Sequence, residues 1–158
     1  MRGSSAGAMG ISDMPMQLLI GAVILSLSAP LFASAYEDLS ENIADQEAGR
    51  AVSSLIDTME TVLSGDEGSR LRITIELSGF GSCSFERMFI GGPLDEGSDM
   101  YILGYELGTG LSRSYSLKPP YPVTSADGST LILTAGTHTI SVERSRIGDV
   151  DCLMVGLQ

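Results

Sequence analysis

Residues 14–36 read MPMQLLIGAVILSLSAPLFASAY, 23 positions without a charged side chain, and residues 37–63 follow as EDLSENIADQEAGRAVSSLIDTMETVL with no turn signal at the join. The first stretch is long enough to cross the roughly 30 Å hydrocarbon core of a bilayer as a helix. In the second, Leu39, Ile43, Ala51, Val52, Leu55, Ile56, Met59, Val62 and Leu63 recur mainly at intervals of three and four. Glu37, Asp38, Glu41, Asp45, Glu47, Asp57 and Glu60 stand between them. That is the pattern of one apolar face on an α-helix. Together the two stretches predict a single helix, apolar all round at first and amphipathic afterwards, about 75 Å long at 1.5 Å per residue. Gly49 weakens it locally by about 1 kcal/mol relative to Ala. Ser64-Gly65 supplies the stop, with Gly65 expected in a left-handed C-cap.

Beyond Gly65-Asp66-Glu67-Gly68 the period changes to two. Leu71, Ile73, Ile75 and Leu77 alternate with Arg72, Thr74 and Glu76, a half-buried strand. Further strands are expected at 84–90, 100–107, 112–117, 129–133, 138–144 and 152–157. Gly91-Gly92-Pro93, Gly108-Thr109-Gly110, Lys118-Pro119-Pro120, Asp127-Gly128 and Gly136-Thr137 punctuate them, the last two as tight turns. The fold class is therefore α+β: a long N-terminal helix over 11–64, then a small antiparallel, sandwich-like domain of six or seven strands over 69–158.

Charge narrows the partners. The net charge is −11, and residues 36–67 hold nine carboxylates against Arg50 alone. No basic patch exists, so nucleic acid is not an expected partner; the acidic stretch reads first as a solvated helix face. Cys83 and Cys152 are the only cysteines, both in the β-region. A disulfide between them would close a long loop and stabilise a small extracytoplasmic domain by about 2–4 kcal/mol; two buried thiols too far apart to join are the alternative.

The amino terminus admits two readings. As a cleavable secretory signal, Arg2 is the positive end, Leu18 to Leu27 the apolar core, Pro30 a helix breaker and Ala33-Ser34-Ala35 the cleavage site. Against this stand Asp13, the full spanning length of the apolar run and the helical pattern that continues past Ala35. As a retained helix, Ser12 or Asp13 caps the start and Pro15 falls in the first turn, where its missing N–H costs little. Pro30 would kink the helix, a cost membrane helices tolerate. The absence of Lys and Arg between Tyr36 and Gly49 favours the carboxy-terminal side lying outside.

Gly10-Ile11-Ser12-Asp13-Met14-Pro15, leading into QLLIGAVILSLSAPLF, resembles the start of archaeal type IV pilin-like proteins, the superfamily of archaellins and adhesion pilins. Members carry a short leader cut after a small residue, a hydrophobic helix and an extracytoplasmic β-domain. The resemblance implies a cut after Gly10 (leader 1–10) or after Gly3, made by a prepilin peptidase, and partners among the assembly machinery and other pilin-like subunits. It puts Asp13, at an unusual position, in place of the acidic residue that pilins use in assembly. Ile20, Val23, Ile24, Leu27, Leu31 and Leu39 would carry helix packing in the filament. Leu39 and Ile43 would be exposed on one chain and buried among several.

Catalytic and ligand-binding signals are faint. His138, the sole histidine, shares a strand face with Ile140 and Val142 and reads as structural. No G-x-S-x-G elbow is present, and Gly79-Phe80-Gly81-Ser82-Cys83 is not a phosphate loop, since no Lys follows and no helix opens there. Asp95, Glu96 and Asp99, or Asp149 and Asp151, lack EF-hand spacing and read as exposed loop charge. Tyr101, Tyr105, Tyr115 and Tyr121 either form an adhesive surface or fill strand pairs and core edges. No cofactor, metal or enzymatic activity is expected. The expectation is a single-pass membrane or filament protein with its β-domain outside; the competing one is a secreted or singly anchored β-domain that binds a cell-surface partner without polymerising.

Overall fold

The computed structural model describes residues 13–94 and 99–158, with side chains from Met16 onward and excepting Asp99. Contacts divide the chain into two units, residues 1–38 and 39–158. One helix, α1, spans Asp13–Leu63, and Pro30 lies inside it. Nothing interrupts it at Ala33-Ser34-Ala35. Within the apolar part, the Ser26 and Ser28 hydroxyls donate to the carbonyls of Val23 (2.9 Å) and Leu25 (3.3 Å). These two hydroxyls thus find their partners within the helix itself.

In the second unit the helix buries Ser40, Ala44, Ala48, Val52, Leu55, Met59 and Val62. The row begins with small residues and ends with large ones. Ser40, Ala44 and Ala48 carry almost no apolar signal in sequence, yet small side chains are what permit close approach of a helix to its neighbours. Ile43, expected to be exposed, is half-buried; Leu39 is 55% exposed.

The helix ends as expected but by another device. Gly65 is not among the glycines with positive φ. Its want of a side chain has a steric cause: a Cβ there would lie 2.4 Å from Ser69 Oγ. The open carbonyls are capped from a distant strand, where Arg144 Nη1 donates to Leu63 O (3.3 Å) and Gly65 O (2.7 Å). A cation at a helix C-terminus also meets the negative end of the helix dipole.

Among the described residues eight strands follow: β1 Arg70–Leu77, β2 Phe85–Ile90, β3 Leu103–Leu107, β4 Ser112–Tyr115, β5 Val123–Ser125, β6 Leu131–Leu133, β7 Gly136–Ile147 and β8 Val150–Leu157. They form two four-stranded sheets, ordered β1-β7-β8-β5 and β4-β3-β2-β6. All pairings are antiparallel except β5 with β8, which is parallel. Sequence alternation misses β5, three residues long and buried throughout. It also extends the third strand too far back: Asp99–Tyr101 is a 3₁₀ turn. Gly136-Thr137 opens β7 instead of making a turn. The tight turn that periodicity misses is Gly148-Asp149, between Ile147 and Val150. Gly148 takes φ 62° there while Asp149 stays negative, which fits a two-residue hairpin with glycine first.

One core joins the amphipathic part of α1 to inward residues of both sheets, among them Ile75, Ile140, Val142, Leu153 and Val155 from the first and Phe85, Met88, Ile90, Leu103, Tyr105 and Leu107 from the second. Phe85 and Met88, three apart, can both face inward because β2 bulges between Phe85 and Arg87.

Candidate functional site

The first unit contributes an apolar helix surface. From Met16 on, large side chains are exposed around the whole circumference, including Ile20, Val23, Ile24 (61%), Leu27 (67%) and Leu31. This is the one helix among the described residues long and apolar enough to cross a membrane. An apolar surface of this extent is not left in water by an ordinary monomeric protein. Gly3 and Gly10 lie outside the described residues. Asp13 opens the helix, and its side chain is likewise outside the description.

In the second unit the helix is held by a polar cluster that sequence reading missed. Tyr105 Oη donates to Asp45 Oδ1 (2.6 Å) and to Asp45 O (3.0 Å). Arg113 donates from Nε to Asp45 Oδ1 and from Nη2 to Oδ2, each at 3.3 Å. Tyr105 stacks on Tyr115 with ring centroids 6.2 Å apart. β3 and β4 set Tyr105 opposite Arg113, so both meet one helical turn. Burial alone would raise the Asp45 pKa; the hydrogen bonds from Tyr105 and Arg113, with the guanidinium charge, reverse this and leave it below the ordinary carboxylate value. Burial, the Asp45 carboxylate and Tyr115 push the Tyr105 phenol well up. The period-two pattern gives no sign of the cluster, because its partners lie about 60 residues apart in the chain.

Other candidate residues stay apart. Cys83 and Cys152 are buried free thiols, so the expected disulfide is absent. Cys83 belongs to the core, whereas Cys152 alternates on β8 with the core residues Leu153 and Val155 and so faces the opposite side of the sheet. Burial raises both thiol pKa values. His138 is half-buried and its Nε2 lies 2.7 Å from Thr134 O. Phe80 and Cys83 close a tight turn through Gly81 (φ 58°), accounting for the Gly-rich segment structurally. Tyr105 is a core residue, and Tyr101, Tyr115 and Tyr121 are half-buried. Asp151 pairs with Arg146 at 2.7 Å. Among the described residues no group of three His, Cys, Asp or Glu side chains is placed to hold a metal; Asp95 and Glu96 lie outside them, as does the Asp99 side chain.

Compared with protein-family models, with curated proteins and with solved structures, the chain has no match.

Proposed function

We propose that this chain is a membrane-anchored pilin-like subunit, with its β-domain outside the membrane, that assembles through α1 into an archaeal type IV pilus-like filament or a related secretion apparatus. The observation that carries the reading is α1 itself: one helix, uncharged and with large apolar side chains exposed from Met16 to Phe32, running without interruption through Ala33-Ser34-Ala35 to residues that belong to the core of a β-domain. A signal peptide needs no such continuation. A prepilin peptidase would remove the leader at Gly10 or Gly3, and the bilayer would hold the apolar run until assembly.

The physics of assembly differs along the helix. Ile20, Val23, Ile24, Leu27 and Leu31 exchange lipid for neighbouring helices, and lipid is as apolar as leucine. Their gain comes from packing, not from leaving water. Leu39 lies beyond the uncharged run and exchanges water for protein, worth about 1.5–3 kcal/mol if fully covered. Ile43 already packs partly within its own chain, so Leu39 is the sharper probe.

Leu39→Asp is expected to leave the cellular amount of the protein unchanged and to remove it from sheared surface filaments, as read by immunoblot of the two fractions. Undiminished incorporation would contradict assembly through this face and favour the anchored, non-polymerising domain.

A further inference from the structure

Three of the four sheet edges are blunted by length: β5 and β6 have three residues each and β4 has four. β1, the remaining edge, runs eight residues without Pro and in unbroken register with β7. Among the described residues no backbone hydrogen bond reaches it from any other strand. A long edge of this kind offers a row of unpaired N–H and C=O groups to another strand.

Charge order identifies the strand that fits. One face of β1 carries Arg70, Arg72, Thr74 and Glu76, and the other carries Leu71, Ile73, Ile75 and Leu77. Arg70 is 3.9 Å from Glu143 on β7, while Arg72 and Glu76 make no ion pair among the described residues. A row of like charges would repel its own copy; this row is self-complementary. With two β1 strands antiparallel and centred on Thr74, each Arg72 stands opposite the other chain's Glu76 and Thr74 stands opposite itself. On the inner face Ile73 meets Ile75 and Leu71 meets Leu77. Leu71 is 41% exposed and Ile73 half-buried, whereas Ile75 and Leu77 are buried, so the partner would cover the part of that face left open.

We propose that β1 pairs with β1 of a second copy of this chain, antiparallel and centred on Thr74, joining two four-stranded sheets into one of eight strands. The contact is isologous and closes at two chains, so it cannot by itself propagate a filament. It is independent of the pilin-like reading, and it joins two subunits wherever they are held.

The test uses the full chain in dodecyl maltoside micelles. Thr74→Cys, on the two-fold axis, is expected to give a covalent dimer on copper-phenanthroline oxidation, read by intact mass. Ser112→Cys, on the exposed edge β4, reports chance encounter within micelles. In the Thr74→Cys background, Arg72→Glu or Glu76→Arg sets like charges opposite each other and is expected to lower the yield about tenfold. The double exchange Arg72→Glu/Glu76→Arg is expected to restore it. Far-UV circular dichroism checks that each variant is folded, and the double exchange separates charge order from misfolding. Equal dimer yields from Thr74→Cys and Ser112→Cys, indifference to the single reversals, or cross-linking through Ile73→Cys in place of Thr74→Cys would each overturn the proposal.

Discussion

At the scale of single residues, Asp45 shows how one carboxylate fastens a helix. It accepts from a buried phenol and from a half-exposed guanidinium. The phenol bond is short and shielded; the ion pair is partly screened by water and adds less. Asp45→Asn is therefore expected to cost about 1 kcal/mol at neutral pH, read from urea unfolding. Because folding lowers the Asp45 pKa, its contribution is full above the unfolded value near 3.9 and is lost as pH falls through the lower folded value. The stability gap between wild type and Asp45→Asn should thus hold at neutral pH and close on acidification, as pH falls from the ordinary carboxylate value through the lower folded one. A gap that widens on acidification would contradict this role. Arg144 is the corresponding long-range device at the helix end, closing carbonyls that a left-handed glycine would otherwise close. Neither residue was legible in sequence, because each acts on a partner set only by the fold.

At the scale of elements, the helix was the most readable part. Its continuity, its apolar face from Val52 to Val62 and its stop near Leu63 follow from period and composition. The face from Ser40 to Ala48 was hidden, since small residues carry little hydropathy while deciding how closely the helix packs. Gly49 sits in this part, and a Cβ there would lie 3.7 Å from the hydroxyls of Tyr105 and Tyr115, ordinary contact distance. Gly49→Ala should then stabilise the protein by about 0.5–1 kcal/mol through helix propensity alone. A lower urea midpoint would mean that the approach of the tyrosines is tighter than the geometry allows. Long alternating strands such as β1 and β8 were also legible. The short β5 was not, because three buried residues have no alternation to read and its parallel partner β8 comes some 25 residues later.

For the whole molecule, sequence reading reached the α+β class, the order of its parts and a sandwich-like β-domain, but not which strands share a sheet or the parallel pairing of β5 with β8. The thiols illustrate why pairing cannot be inferred from cysteine count: alternation on β8 puts Cys152 on the face away from the core that holds Cys83. The proposed function rests on α1 being kept in the mature chain, and the first residue of that chain decides it. Intact mass and N-terminal sequencing of the protein recovered from cell membranes or surface filaments should find a start immediately after Gly10 or Gly3, with the apolar run of Met14–Tyr36 present. A mature chain that starts at Tyr36 would show that the helix had been discarded, and the assembly reading would fall with it.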